Sequence, residues 1–142
     1  MVGKVLSTGF VSLLGELNSR SLVDGQIIPH EEYLRSFDTG NFAPIFPKDV
    51  LPSEFGGDGA SAKVLANLVL MPPRDMARLE TRTIVEVISD LYARRTPNDV
   101  ALLKSQLLPV LGGKLFSGDV FGFLEMRSAL IQGEMSKFTE DS

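Results

Sequence analysis

Apolar residues recur at three- and four-residue steps between the prolines and glycines of this 142-residue chain. That spacing predicts helices with one apolar face, whereas a half-buried strand would alternate, and no segment alternates convincingly. The first such segment runs from about Lys4 to Asn18. Glycines weaken this helix intrinsically, so we expect it to depend on packing. Its apolar residues are Val5, Leu6, Phe10, Leu13, Leu14 and Leu17.

Proline and capping residues set the limits of the next two helices. Pro29 is favoured at the first position of a short helix that runs to about Phe37. Ser61 is the expected N-cap of a third helix, which ends before Pro72. The apolar face of this third helix carries Val64, Leu65, Leu68 and Val69.

A long fourth helix and a fifth helix follow directly. Pro72 and Pro73 open the fourth helix, which ends at Arg94 and Arg95 because cations suit the negative end of the helix dipole. Its apolar repeat consists of Ile84, Val87, Ile88 and Leu91. The fifth helix begins with a cap, a proline and a first-turn acid, which are Thr96, Pro97 and Asp99.

The fifth helix carries Val100, Leu103 and Leu107 and is expected to end at Gly112 and Gly113, with Pro109 kinking or shortening its last turn. Ser117 is the expected cap of the last helix. The apolar residues of that helix are Val120, Phe121, Leu124, Ile131, Met135 and Phe138.

The sequence therefore predicts an all-α class, a compact, bundle-like array of about five to six helices in a single domain, 1–142. Its parts are an N-terminal helical portion at 1–37, a Pro/Gly-rich loop at 38–60 and a helical portion at 61–138. In the loop, Phe46, Val50, Leu51 and Phe55 are expected to pin the backbone to the core.

Composition excludes several classes of protein. The net charge is −4 and the pI is near 5.0, which argues against a general polyanion binder, although not against a local basic patch. Without cysteine there are no disulfides and no thiolate metal sites. No apolar run is long enough to span a membrane. We expect a protein in the cytoplasm or in an intracellular assembly, not evidently secreted, with no cofactor.

No catalytic or metal-binding motif is recognised. The single histidine, His30, lies in the first turn of a short helix beside Glu31 and Glu32, which is typical of a solvated polar residue. Metal sites built on histidine need further ligands of that kind. The glycine runs at 56–59 and 112–114 lack the spacing of a phosphate-binding loop. We therefore expect a protein that is not an enzyme.

Three arginines are the sharpest hint of a binding function. Arg74, Arg78 and Arg82 are spaced four residues apart, so a continuous fourth helix would place them along one face. Such a stripe would suit phosphates or an acidic partner. Glu86 and Asp90 continue the same face, which favours the alternative of a solvated, ion-paired surface. Aromatic residues for base stacking are missing there, so nucleic acid is not the favoured ligand.

The last helix is apolar on more than one face. Phe123 and Met126 lie away from the stripe formed by its other apolar residues, and Phe121 adds a further aromatic ring. A helix that is apolar all round is buried, either inside its own domain or against a partner. Both readings stay open at this stage.

A second signal comes from the run Phe46-Pro47-Lys48-Asp49-Val50-Leu51-Pro52-Ser53-Glu54-Phe55-Gly56-Gly57. It resembles the closing segment of CRAL-TRIO (Sec14-like) lipid-transfer domains, which hold a lipid in an α/β pocket. The resemblance is local, because only about 45 residues precede the run and they show no strand pattern. No lipid-binding residues are carried over from it.

These observations predict a non-catalytic interaction or assembly subunit of a larger complex or particle, for example a virion component. Its contact residues would be Arg74, Arg78, Arg82, Phe121, Phe123 and Met126, and its partner another protein or a second copy. The alternatives are binding of an apolar small molecule or lipid between helices, and binding of an anion or nucleic acid through the arginines.

Overall fold

The computed structural model describes residues 10–29, 42–56 and 61–140. Within them the chain is mostly helical, with one small two-stranded sheet. The all-α expectation is therefore met only in its coarse form. Helical residues 10–16 form α1. The other elements are β1 (Phe42–Pro44), α2 (Ala62–Leu65), β2 (Leu68–Leu70), α3 (Pro73–Leu79), α4 (Ile84–Arg94), α5 (Pro97–Ser105), α6 (Gly113–Gly118) and α7 (Val120–Glu140).

The sheet overturns the predicted third helix. Ser61 caps α2 as expected, accepting a hydrogen bond from the Val64 N–H, but the helix ends at Leu65. Residues Leu68–Leu70 instead form β2, which pairs antiparallel with β1. The side chain of Asn67 stabilises this arrangement by bonding both the N–H and the carbonyl of Phe46. The pairing partner lies more than 20 residues earlier in the chain, so local spacing could not reveal it.

The predicted fourth helix is two helices. The first ends at Leu79, and Glu80 then adopts a positive φ of 56°. The next begins after Thr83, which exchanges hydrogen bonds with Glu86 in a capping box. The capping box pairs the backbone N–H groups of Thr83 and Glu86, which would otherwise lack partners at the start of α4. A new helix can therefore begin here. Arg82 consequently lies outside α3.

The later helix boundaries also differ from those predicted. The start of α5 is confirmed, because Thr96 and Asp99 form a capping box with Pro97 at the first position. However, α5 ends at Ser105, and Leu107 adopts a left-handed φ of 57°. The glycines at 112 and 113 lead into α6 rather than ending α5. Asp119, not Ser117, caps α7 by accepting from the Gly122 N–H.

A single apolar core collects residues from every part of the described chain. Its aromatic centre brings Phe46 together with Tyr92, Phe116 and Phe123, whose ring centroids lie 4.8–6.4 Å apart in contacting pairs. In the predicted loop, Phe46 and Phe55 are buried as expected and Leu51 packs against the core. Val50 is exposed instead. The predicted helix at 29–37 lies almost wholly outside the described residues.

One buried arginine joins the elements around this core. Arg127, on α7, is fully buried and donates to five backbone carbonyls. Three acceptors lie between α2 and β2, at distances of 2.6–3.1 Å from Nη1. The other two lie just after α5, at 3.0 and 3.2 Å. The acceptors are the carbonyls of Leu65, Ala66, Leu68, Gln106 and Leu107.

Among the described residues no carboxylate pairs with Arg127, so the positive charge is held by carbonyl dipoles. Burial lowers the pKa of Arg127 to about 9, which still leaves the guanidinium charged at neutral pH. The carbonyls after α5 point toward the arginine because Leu107 turns the chain there. The left-handed conformation of Leu107 therefore helps to place the carbonyls that bind the buried Arg127 side chain.

The neighbouring Gln106 side chain extends the small sheet. Its amide oxygen accepts from the Leu70 N–H, and its nitrogen donates to the carbonyls of Leu70 and Arg20, all at 3.0 Å. It thus supplies the hydrogen bonds that a third strand would have offered to β2. Because buried backbone groups are costly to leave unpaired, this side chain lets a very short sheet sit inside a helical domain.

Replacing Arg127 tests the importance of this arrangement. Arg127→Lys offers only three N–H donors on a shorter side chain, so buried carbonyls lose their partners. We expect a loss of about 2–4 kcal/mol in the free energy of unfolding, measured by urea denaturation. The control Arg82→Lys, at an exposed site, should change stability by less than about 0.5 kcal/mol. Equal effects for the two variants would contradict the assigned role of Arg127.

The α5 capping box should make stability sensitive to acid. Hydrogen bonds from Arg94 and Thr96 lower the pKa of Asp99 below its ordinary value of 3.8, so its stabilising effect is complete above that pH. The effect is lost as the pH falls through the lower folded-state pKa. We expect Asp99→Asn to be less stable than the natural chain at pH 6, and the difference to vanish near about pH 2, by urea denaturation at both. The same substitution at exposed Asp49 should change stability at pH 6 by less than about 0.5 kcal/mol.

Candidate functional site

The predicted arginine stripe is divided between two local structures. Arg74 and Arg78 lie on α3, while Arg82 lies in the turn before α4. Each of the three side chains is about half exposed, at 48–49%. The expected alignment along one continuous helix is therefore not observed, because Glu80 and the Thr83 cap break that helix.

Each arginine also faces a carboxylate. Arg78 lies 2.7 Å from Asp24, and Arg82 pairs with Asp90. Although burial acts to raise the pKa of Asp24, hydrogen bonds from the Gln26 N–H and from Arg78 bring it below its ordinary value. These contacts fit the alternative of an ion-paired surface better than an open cationic stripe. Binding of an anion or nucleic acid by the three arginines stays an untested prediction.

A buried carboxylate gives two of these arginines a structural role. The side chain of Asp75 is fully buried, and neither of its oxygens has a hydrogen-bond donor within the described part of the chain. Arg78 lies 3.5 Å and Arg74 3.9 Å from its Oδ1. Asp75 is also in the first turn of α3, where the helix dipole favours negative charge. These two guanidinium groups are therefore the cations that flank the buried carboxyl group.

The second candidate surface is the outer face of α7. The inner face of this helix packs against α2 and α6 and buries Phe123, Leu124, Arg127 and Ile131. The sequence predicted Phe123 to be a contact residue. It lies wholly within the aromatic core instead and offers no exposed surface. Phe121 and Met126 point the other way and remain 43% and 41% exposed. The outer face of α7 is thus mixed, with two exposed apolar side chains among charged, polar and small residues.

Small and charged residues complete the outer face of α7. Ala129, Gly133 and Ser136 are exposed and follow one another at helical spacing between the larger side chains. At one end, the Phe121 ring lies 5.5 Å from Phe55, edge to face. Glu125 contacts Lys63 at 3.7 Å. We define the α7 outer face as Phe121, Glu125, Met126, Ala129, Gly133, Ser136 and Lys137.

Gly133 is unusual within this face. It lies inside a 21-residue helix, where glycine is less favourable than alanine by about 1 kcal/mol. A methyl group added there would meet no atom within 4 Å. No contact within the described chain therefore explains the glycine. A close approach by another molecule would explain it, since glycine lets two helix backbones come together.

The remaining expectations concern chemistry and membranes. His30, Glu31 and Glu32 lie outside the described residues. Across 10–29, 42–56 and 61–140, no group of three or more His, Asp or Glu side chains could hold a metal ion. In the same ranges no helix is long and apolar enough to cross a membrane. The assignment as a protein that is not an enzyme stays a prediction.

Sequence reasoning missed the buried polar groups. Arg127 follows Leu124 by three residues and precedes Ile131 by four, so it lies in the middle of the apolar stripe of α7. An arginine inside an apolar stripe must either find hydrogen-bond acceptors in the core or reach solvent. That signal was present in the sequence, but its five partners come from segments that only the fold brings together.

Two matched substitutions separate the structural arginine from the superficial one. Arg78→Gln removes the cation that lies 3.5 Å from buried Asp75 and 2.7 Å from Asp24, and we expect a loss of about 1–2 kcal/mol in the free energy of unfolding. Arg82→Gln breaks a pair between exposed groups and should cost less than about 0.5 kcal/mol. Urea denaturation at neutral pH measures both. A larger loss for Arg82→Gln would refute the structural role of Arg78 beside Asp75.

Comparisons with protein-family models, curated proteins and solved structures gave no match. The local resemblance of residues 46–57 to CRAL-TRIO domains is therefore neither supported nor opposed by a relative.

Proposed function

We propose that this protein is a non-catalytic assembly subunit that associates with a second copy of itself through the α7 outer face. The observation that carries the proposal is the α7 outer face, on which Phe121 and Met126 stay exposed and a Cβ added at Gly133 would meet no atom within 4 Å. Exposed small residues let a second helix approach closely, and the exposed apolar side chains would then be buried against it. A two-fold pairing is the commonest symmetry of homo-oligomers.

The charges on α7 favour an antiparallel pairing of two copies. If Ala129 of one copy lies against Gly133 of the other, Glu125 of the first falls opposite Lys137 of the second, because both pairs are centred on the same point of the helix. Two-fold symmetry forms each of these contacts twice. Glu125 and Lys137 are 45% and 73% exposed and make only surface ion pairs within the chain. They can therefore exchange partners at little cost.

The small residues suit the same geometry. Ala129 and Gly133 would meet at the point where the two helices come closest, which lets the backbones approach without displacing side chains. Met126 would then lie opposite Ser136 of the other copy, and its flexible thioether side chain fills irregular gaps well. This arrangement gives Gly133 a role that the isolated chain does not provide.

Analytical ultracentrifugation tests the association. We expect a reversible dimer in the natural chain and a monomer for Met126→Glu, which places a charge in the contact. Met76→Glu is the matched control, because Met76 is similarly exposed but lies on α3. Gly133→Leu should fold normally, given the open space around it, and should dissociate the dimer.

A charge exchange tests the antiparallel register. Glu125→Lys and Lys137→Glu should each weaken the dimer, and the double variant should restore it. A natural chain that stays monomeric up to about 1 mM would overturn the proposal, since that limit corresponds to an association of only about 4 kcal/mol. A dimer that the double variant fails to restore would overturn the proposed register.

A further inference from the structure

A cleft with an unusual distribution of charge lies between α4 and α6. Its volume is about 530 Å³, within the range of small-molecule sites. Arg95, at the end of α4, and Lys114, on α6, both line it, and no carboxylate is among its lining residues. In a chain with net charge −4, a cleft that presents only positive charge is unexpected.

The acidic residues of α4 are engaged elsewhere. Glu86 closes the capping box with Thr83, and Asp90 pairs with Arg82. Asp119, which follows α6, caps α7. Within the described residues, neither Arg95 nor Lys114 makes an ion pair. A groove of similar volume beside the 20–27 turn differs in this respect, because its Arg94 pairs with its own Asp99.

The floor of the cleft is apolar and firmly held. Tyr92 and Phe116 contact each other with ring centroids 5.6 Å apart. The Tyr92 hydroxyl donates to the Pro109 carbonyl at 2.7 Å, and burial raises the pKa of that hydroxyl, so the ring presents no charge. Gly112 and Gly113 pass close over Tyr92, where an added Cβ would lie 3.3–3.4 Å from its atoms. Both glycines therefore bring the backbone against the ring, and Gly113 forms the glycine wall of the cleft.

The rim combines apolar and hydrogen-bonding groups. Leu111 projects into solvent at 79% exposure beside the glycine wall. Ser89 and Ser117 place hydroxyl groups on the two helices. Arg95 takes a left-handed conformation with φ 49° at the end of α4, where glycine or asparagine is usual. Arg95 thus places a long cationic side chain at a left-handed backbone position.

We propose that this cleft binds a small amphipathic anion. The apolar body of the ligand would lie on Tyr92, Phe116 and Leu111, and its negatively charged head would lie between Arg95 and Lys114. Charge-assisted hydrogen bonds from a guanidinium and an ammonium suit a carboxylate, phosphate or sulfonate equally well. This site shares no residue with the α7 outer face and does not depend on dimer formation.

The fluorescent probe 8-anilinonaphthalene-1-sulfonate tests the proposal, because it joins an aromatic body to one negative charge. We expect saturable binding to the natural chain. Octyl phosphate and octanoate should both displace the probe, and their relative potencies compare a phosphate head group with a carboxylate. Inorganic phosphate alone and octyltrimethylammonium should not displace it, since the first lacks the apolar body and the second reverses the charge.

Substitutions then locate the site. Arg95→Asn removes the cation while retaining a residue that accepts the left-handed backbone, and Lys114→Gln removes the other. Each should weaken probe binding by about tenfold. Lys104→Gln removes an exposed cation on α5, and Met126→Glu alters the α7 outer face; neither should change it. Leu111→Ser should weaken binding without affecting the fold, because Leu111 is so exposed.

Unchanged affinity in the Arg95→Asn, Lys114→Gln double variant would overturn the proposal. An equal loss of probe binding in Lys104→Gln would also overturn it, because that result would indicate a general effect of charge. A loss of probe binding in Met126→Glu would overturn it too, because the probe would then bind at the α7 outer face. Displacement by inorganic phosphate as effectively as by octyl phosphate would also overturn it, because the apolar floor would then contribute nothing.

Discussion

The fold depends on a buried guanidinium group, whose positive charge is stabilised by backbone carbonyls rather than by a carboxylate. Arg127 gathers acceptors from two regions that are far apart in sequence, the connection between α2 and β2 and the turn after α5. Those regions would otherwise end helices with unpaired carbonyls in the interior. The Arg127 side chain donates hydrogen bonds to the carbonyls of both regions. A short helix and a three-residue strand can therefore be buried together.

The two buried amides act in the same way at smaller scale. Asn67 bonds the backbone of Phe46 beyond the end of the sheet, and Gln106 bonds the free edge of β2. Side chains thus provide the hydrogen bonds that additional strands provide in larger sheets. Because Gln106 also offers its own carbonyl to Arg127, the sheet edge and the buried charge are linked through one residue. A polar network of this kind specifies one arrangement of the core.

The features that could be predicted from the sequence are those that depend on neighbouring residues, such as helix caps and apolar spacing. Caps at Ser61 and Thr96 follow from nearest neighbours and are confirmed, as is the part of the α7 stripe formed by Val120, Leu124, Ile131 and Met135. The break before α4 was also local, since Thr83 and Glu86 have capping-box spacing, but the helical repeat beyond them concealed it. The strand at Leu68–Leu70 could not be predicted in this way, because its identity comes from a partner more than 20 residues away. Of the candidate surface, Phe121 and Met126 are exposed, whereas Phe123 is turned inward by the angle it occupies on α7.

The position of Arg127 in the chain has a consequence for synthesis on the ribosome. The carbonyls that it binds belong to residues 65–107, all of which emerge before α7 does. Until α7 has been made, the Arg127 guanidinium is not available to those carbonyls. The complete set of hydrogen bonds that joins the two regions can therefore form only after residue 127 has been synthesised.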